Sequence, residues 1–387
     1  MRCSTLFGRT LREAPADADL ASHQLLMRAG MIRPMAAGIY SYLPLGLRVV
    51  QRIAAIIRAE LDAIGGQELL MPIAQPAELW KATGRYQASA PGPALVRWQD
   101  RNAREMVLAM THEEAVTALA RSEIRSHRQL PLLVYQIQTK FRDEPRPRGG
   151  LIRTREFLMQ DGYSFHADAA SLDATYHQVY AAYLRIMARC GLDVLPVVAA
   201  TGMMGGARSH EFVFPSDVGE DTVLHCPRCG YAANAEAAQV AKGRHDDSPP
   251  APIERVATPD TTTIEALARL LGIAARQTLK AVLFSTPEGE IILAVIRGDL
   301  AINEAKLSSL LGDQALAPAT AAQLGASGLV AGYASPVGLR GMRVVADDSV
   351  GLGGSFVAGA NEAGYHLRNV SYPRDFAAER MADIALA

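Results

Sequence analysis

The sequence predicts an α+β protein in two parts: an antiparallel sheet flanked by helices, then a smaller α+β domain. Three observations carry this. Two strand-like runs, VYQIQTKFRDE and LIRTREFLMQDGYSF, are joined by the turn-rich PRPRGG, which favours an antiparallel pair. Leu47, Val50, Ile53, Ile57, Leu61 and Ile64 recur at steps of three or four, the apolar stripe of an amphipathic helix. Near residue 240 the composition turns polar and Pro-rich, AKGRHDDSPPAPIERVATPD, which marks a linker.

The chain of 387 residues is long enough for two or three domains. Hydrophobic residues at 49% and charged residues at 20% are ordinary for a soluble globular protein. A formal net charge of -1 means that any contact with nucleic acid must come from local basic clusters. The sequence contains neither a long apolar run nor a signal peptide, and its four cysteines do not form a disulfide framework, so the expectation is a cytoplasmic protein without a membrane partner.

Gly65 and Gly66 are placed to end the first helix, and ELLMPIAQP follows as a strand-like run interrupted by Pro72. VLAM leads into THEEAVTALARSEI, a helix in which Thr111 and Glu114 have capping-box spacing. Tyr176, Val179, Tyr183 and Ile186 mark another helix. Past the linker, Thr262 and Glu265 again have capping-box spacing, and Ile264, Leu267 and Leu271 form one helix face. KAVLFS, a PEGE turn and IILAVIRG read as a hairpin.

Arg142, Arg146, Arg148, Arg153 and Arg155 fall within fourteen residues. A guanidinium presents a planar fork of donors matching phosphate oxygens, and Phe157 offers a ring on which a base can stack. An arbitrary cluster of this kind is more often a solvated basic hairpin. Thr111 taken alone is explained equally well as a cap, His210 as a hydrogen-bonded structural histidine, and Lys280 as an exposed lysine at a strand start. Cys226 and Cys229 supply two thiolates where a structural zinc needs four ligands, and His225 is poorly placed to help, so no metal is assigned.

The string FRDE, PRPRGG, REFLMQDGYSF resembles motif 2 of the class II aminoacyl-tRNA synthetases, and its wording resembles the bacterial-type prolyl enzymes. THEE at Thr111, GMMGGARSHEF at Gly202 and HCPRCGYAANAEAA at His225 resemble the same family, as does the helix 47–64 with Pro72, which looks like motif 1. The resemblance implies a class II antiparallel sheet with helices at residues 1–238, an inserted smaller α+β editing domain at 239–370, and the start of a return to the catalytic core at 371–387. It implies ligation of proline to tRNA(Pro) using ATP and Mg2+, with hydrolytic editing of mischarged alanyl-tRNA(Pro), by a homodimer joined through motif 1. Arg142, Glu144 and Arg153 would be catalytic and would bind ATP with Phe157. Thr111, Glu113, Arg142, Ser209 and His210 would hold proline, with Gly205 and Gly206 allowing close backbone approach. Arg146 and Arg148 would touch the tRNA acceptor end. Lys280, Gly332, Pro336, Asp347 and His366 would form the editing pocket. Two positions depart from the expected polar pair after RGD: Leu300 and Ala301.

No string resembles motif 3 or an anticodon-binding domain, so the chain is expected to be incomplete relative to the family. Two alternatives remain open: an editing hydrolase acting on mischarged tRNA, and a non-catalytic paralogue of the synthetase.

Overall fold

A computed structural model describes residues 2–86, 95–200, 208–244, 251–312 and 316–387. The chain forms two compact units, Met1–Asp193 and Val194–Ala387.

The first unit contains α1 (Ala21–Arg28), β1 (Ile32–Ala36), β2 (Ile39–Tyr42), α2 (Pro44–Asp62), β3 (Gln67–Glu68), β4 (Ala74–Pro76) and α3 (Ala77–Ala82). It continues with β5 (Arg97–Gln99), β6 (Glu105–Leu108), α4 (Glu113–Glu123), β7 (Leu132–Phe141), β8 (Glu156–Phe165) and α5 (Ala169–Arg189). The expected antiparallel pair is β7–β8, in unbroken register from Leu132↔Phe165 to Phe141↔Glu156. β3 adds to β7 in parallel. α2 begins with a proline at its first positions, where the missing N–H has no cost. It packs against α5, and the largely buried Glu60 of α2 takes Arg185 of α5 at 2.6 Å and Arg189 at 2.7 Å.

The second unit contains β9 (Leu195–Val198), β10 (His210–Val213), β11 (Val223–His225), β12 (Ala232–Asn234), β13 (Glu254–Ala257), α6 (Ile264–Leu271), β14 (Leu279–Ser285) and β15 (Ile291–Arg297). It ends with α7 (Glu304–Leu310), β16 (Ala317–Pro318), α8 (Ala321–Ala326), β17 (Arg343–Asp347), β18 (Phe356–Gly359), β19 (Tyr365–Val370) and β20 (Arg380–Ala382). The sheet orders are β10-β9-β12-β11, β13-β19-β18 and β16-β14-β15-β17-β20. The expected hairpin is β14–β15, paired from Leu279↔Arg297 to Ser285↔Ile291. β15 is buried along nearly its whole length, as befits a central strand covered on both faces. One face packs against Leu279, Val344, Phe356 and Val370, the other against Phe284, Leu307 and Val345.

Local details differ from the sequence reading. Thr111 and Glu114 form no capping box: the N-cap position of α4 is His112, which makes no side-chain cap. The Thr111 hydroxyl instead donates to Glu113 at 2.5 Å, and the buried Glu114 carboxylate accepts from Thr83 and Arg85. The cap of α6 sits one residue later than expected, at Thr263, whose hydroxyl accepts from Ala266. ELLMPIAQP yields two short strands, β3 and β4, with Pro72 between them. Residues 380–385 join the second unit, β20 beside β17 and Ala385 bridged to Ile302. Contacts divide the chain at 193/194, whereas the sequence places its boundary at 238/239.

The second unit is tied together by a buried ammonium. Lys242 Nζ, 1% exposed, meets Asp347 at 2.8 Å and Asp383 at 2.6 Å, and also pairs with Asp348. Asp383 also binds Lys306 at 2.9 Å, and Asp347 accepts the amides of Ser349 and Ile384. Three stretches distant in sequence therefore share one charge cluster. Burial alone would raise Asp383, but hydrogen bonds from Lys242 and Lys306 hold it at about 2. Replacing Lys242 with Met leaves buried carboxylates unpaired, so urea unfolding at neutral pH should show a loss of about 3–5 kcal/mol. Asp383 is depressed below its unfolded value near 3.9. Its contribution is therefore fully present above about pH 4 and is lost as the pH falls toward 2. Comparing the wild type with Asp383→Asn across that range should show the two stabilities converge.

Candidate active sites in the two units

In the first unit the ends of β7 and β8 open on a cavity of about 490 Å³ lined by Tyr42, Arg142, Glu144, Leu151, Ile152, Arg153, Thr154, Phe157 and Leu158. Arg142 follows β7 directly, and its amide donates to the Arg155 carbonyl at 2.8 Å, extending the ladder. Its guanidinium lies 5.4 Å from the centre of the Phe157 ring, and Nε donates to the Met110 carbonyl at 3.3 Å. Burial holds this guanidinium below its ordinary value, with Glu113 acting in the opposite direction. The buried Glu144 carboxylate accepts the Arg146 amide at 3.0 Å and pairs with Arg153 at 2.9 Å. Those contacts, the amide first, hold it below the usual carboxylate range. Arg148 and Arg153 close the loop through reciprocal backbone hydrogen bonds of 3.1 and 3.2 Å. Gly149 and Gly150 at its tip have φ of 66° and 64°. A Cβ on Gly150 would lie 2.8 Å from the His23 ring, so the loop rests directly on α1.

Beneath it lies a buried polar chain that sequence reading did not single out. Lys140, fully buried, pairs with Asp161 at 2.7 Å. Asp161 also accepts from Gln136 at 3.0 Å and from Tyr163 at 2.5 Å. The Tyr163 oxygen in turn accepts the His112 amide at 3.2 Å. Burial lowers Lys140 while Asp161 opposes it, and burial together with Asp161 pushes the Tyr163 phenol up. Thr111 and Glu113 stand on this platform, with Arg85 at 3.3 Å from Glu113. The signal available in sequence was parity: Gln136, Lys140 and Arg142 alternate on one side of the strand, opposite Asp161 and Phe157.

In the second unit a smaller cavity of about 100 Å³ is lined by Thr262, Thr263, Ile264, Leu267, Leu279, Lys280, Ala281, Gly332, Ala334, Gly359 and His366. Lys280 leaves β14 and donates to the Leu300 carbonyl at 2.8 Å. The backbone of residue 300 thus serves as its partner, whatever side chain that position carries. His366 on β19 shares a 2.7 Å hydrogen bond with Thr258, and its ring centre is 5.3 Å from that of Tyr333. Gly332 has φ of 78°, and a Cβ there would come within 2.6 Å of Thr262. The following loop is pinned by Asn361, which accepts from the Ser335 amide and donates to the Ser335 and Val337 carbonyls. Of the expected pocket residues, Lys280, Gly332 and His366 line this cavity, whereas Pro336 and Asp347 do not. Asp347 is engaged by Lys242.

Ser209 and His210 lie at the start of β10, His210 facing Val198 in the ladder. Gly205 and Gly206 lie outside the described residues. The cluster Asp347, Asp348 and Asp383 has metal-ligand spacing, but the Lys242 ammonium stands among its carboxylates.

Comparison with known proteins bears on both cavities. The tRNA synthetase class II core domain (G, H, P, S and T) family matches residues 96–294, and the aminoacyl-tRNA editing domain family matches residues 258–374. A proline–tRNA ligase of Salinispora tropica is 51% identical over 395 residues, covering 100% of this chain and 66% of that protein. One from Dehalococcoides mccartyi is 51% identical over 388 residues, covering 100% and 68%. This chain belongs to the proline–tRNA ligase family. It spans about two-thirds of the length of these curated relatives. A crystal structure of prolyl-tRNA synthetase from Cryptosporidium parvum complexed with L-proline and AMP aligns with a TM-score of 0.46 at 22% identity, over 58% of this chain and 44% of that one. All residues lining the arginine cavity except Tyr42 fall inside the class II match, and those of the cavity of Lys280 and His366 fall inside the editing match.

Burial holds His366 at about 4, so the ring is neutral at physiological pH. Its NMR signals should therefore titrate near pH 4. Since the unfolded ring, near 6.5, takes its proton first as the pH falls, the contribution of His366 to stability is complete above about pH 6.5 and is lost between 6.5 and 4. Gly332→Ala, forced into a left-handed conformation against Thr262, should lower the melting temperature measurably.

Proposed function

We propose that the chain carries the prolyl-activation and editing chemistry of its family: ATP and proline form prolyl-adenylate, the prolyl group passes to tRNA(Pro), and alanyl-tRNA(Pro) is hydrolysed at the second cavity. The observation that supports this best is the presence of two cavities of different chemistry, the arginines of the first inside the class II match and the lining of the second inside the editing match.

In the activation step the proline carboxylate attacks the α-phosphorus of ATP and pyrophosphate leaves. Charge grows on the equatorial phosphate oxygens, where a guanidinium fork held by its neighbours gives most stabilisation. Arg142 supplies that fork, and Phe157 beneath it offers a stacking face for adenine. Arg153 reaches the outer phosphates once it exchanges Glu144 for them. Glu113 takes the secondary ammonium of proline, with Thr111 fixing its carboxylate. Mg2+ usually relies on one or two carboxylates besides phosphate oxygens. Among the described residues the carboxylate lining this cavity is Glu144. Freed as Arg153 turns to the phosphates, Glu144 would be the side chain to hold Mg2+, which when bound would help neutralise the phosphate charge. Arg146 and Arg148, exposed on the loop, are suited to phosphates of the tRNA acceptor end.

Editing answers a physical limit: a pocket shaped for proline cannot exclude the smaller alanine by steric clash. The cavity of about 100 Å³ suits a small side chain. We place the action of the chain in the cytoplasm and its assembly as a dimer through α2. Among the described residues no helix is long and apolar enough to cross a membrane. All the residues that line the second cavity lie in the second unit, which favours one second reading, an editing hydrolase without ligation.

Proline-dependent exchange of pyrophosphate into ATP tests the first reading, with alanine and no-amino-acid controls. Exchange should be specific for proline and should fall at least about 100-fold in Arg142→Ala. A folded chain without exchange that still deacylates alanyl-tRNA(Pro) would establish the hydrolase reading instead.

A further inference from the structure

The Cys-x-x-Cys turn at 226–229 is used by neither cavity. It links β11 to β12, an antiparallel pair running from Val223↔Asn234 to His225↔Ala232. The turn is closed by the backbone alone: Cys226 N–H donates to the Tyr231 carbonyl at 2.8 Å, and Gly230 N–H donates to the Cys226 carbonyl at 2.9 Å. Gly230, at φ 75°, completes the reversal. The fold of the hairpin therefore requires nothing from either sulfur. Both are free thiols, Cys226 half-buried and Cys229 exposed.

Their arrangement has chemical consequences. The backbone N–H groups of Cys229 and Arg228 point at the Cys226 sulfur, and the two thiols are hydrogen-bond neighbours. Amides aimed at a sulfur favour its anionic form, as a helix N-terminus does. Cys226 accordingly lies below the usual thiol range, with the Cys229 amide and thiol as the main causes. The nearest side-chain cation along the turn is Arg228, exposed between the two cysteines. Sulfurs already in hydrogen-bond contact across a turn need side-chain rotation, not backbone travel, to reach bonding distance.

We propose that Cys226 and Cys229 form a reversible dithiol–disulfide pair that exchanges with low-molecular-weight disulfides, Cys226 attacking and Cys229 resolving. In the first step the Cys226 thiolate attacks one sulfur of a disulfide RSSR, forming Cys226–S–SR and releasing RS⁻. In the second the Cys229 thiolate attacks the Cys226 sulfur, forming the internal disulfide and releasing the second RS⁻. Two electrons pass from the cysteines to RSSR, and the two thiol protons go to the departing thiolates. Hydrolysis, ligation and metal binding play no part, so the proposal stands apart from the function proposed above.

The test is to incubate the full reduced chain with oxidised glutathione after removing metals with a chelator, and to map thiols by mass spectrometry. Wild type should lose the thiols of Cys226 and Cys229 together, lose two hydrogens in mass and retain no glutathione. Cys229→Ser should trap glutathione on Cys226, and Cys226→Ser should react about tenfold more slowly than wild type, having lost the thiolate that attacks. Far-UV circular dichroism confirms that both serine variants are folded. Stable glutathione on wild-type Cys226 would overturn the proposal, as would pairing of either cysteine with Cys190 or no loss of thiols. So would a tightly bound zinc ion that resists the chelator and blocks oxidation.

Discussion

The ten-pair register of β7 with β8 fixes the first unit. Side chains alternate across a sheet, so sliding one strand by a single residue would move every side chain to the opposite face. In the observed register Lys140 lies opposite Phe157, and Gln136 opposite Asp161. Lys140 has no exposed surface, and an ammonium without a partner there would be untenable. In this register Asp161 lies on the same side of the pair as Lys140, and the long Lys140 side chain reaches it at 2.7 Å. The burial of one lysine thus penalises the wrong register. The same alignment places Arg142 beside the Phe157 ring at the mouth of the cavity. Polar groups inside a sheet are an expensive way to choose a register, but here they also hold up the segment carrying Thr111 and Glu113, through Tyr163 and the His112 amide.

The second unit solves a related problem with charge rather than strand pairing. Lys242 draws Asp347, at the end of β17, and Asp383, just after β20, to one point. β17 and β20 are parallel neighbours with few ladder bonds, Val345↔Arg380 to Asp347↔Ala382. A short parallel edge pair is weak by itself. The ammonium, with Lys306 on the other side of Asp383, supplies the constraint that the ladder lacks. This gives Asp347 a structural task at the strand end, away from the cavity of Lys280 and His366.

Patterned features were legible in the sequence. The β7–β8 and β14–β15 hairpins, α2 and α5 follow from alternation, helical spacing and turn residues, which depend on a residue's near neighbours. The basic loop was legible because its arginines lie together in the chain. Features set by distant residues were not. Lys140 and Asp161 are twenty-one positions apart, and Lys242 and Asp383 one hundred and forty-one. Nothing local announces that such pairs meet. Thr111 shows the limit at close range. Its spacing to Glu114 fits a cap, yet Glu114 is drawn to Thr83 and Arg85 from another helix region, and Thr111 turns to Glu113. Tertiary partners outbid a local motif whose worth is only about 1 kcal/mol.

The two cavities also differ in how they treat charge, and the difference fits the chemistry proposed for each. In the first, guanidiniums stand at a partly exposed rim, and Arg153 is held by a carboxylate that it can release. Under the proposed chemistry the Glu144 pair would keep Arg153 ordered until phosphate, a stronger anion, takes its place. In the second, His366 is kept neutral by burial and Lys280 is anchored to a carbonyl, not a carboxylate. An aminoacyl ester brings a positive α-ammonium into its pocket. A protonated imidazole would add a further cation to the one Lys280 brings and would repel that ammonium in a low-dielectric cavity, where Coulomb terms are strong. A neutral imidazole beside Thr258 keeps hydrogen-bonding capacity without that repulsion. On that proposal the first cavity gathers guanidiniums for phosphate, while the second keeps His366 neutral and holds Lys280 against a backbone carbonyl.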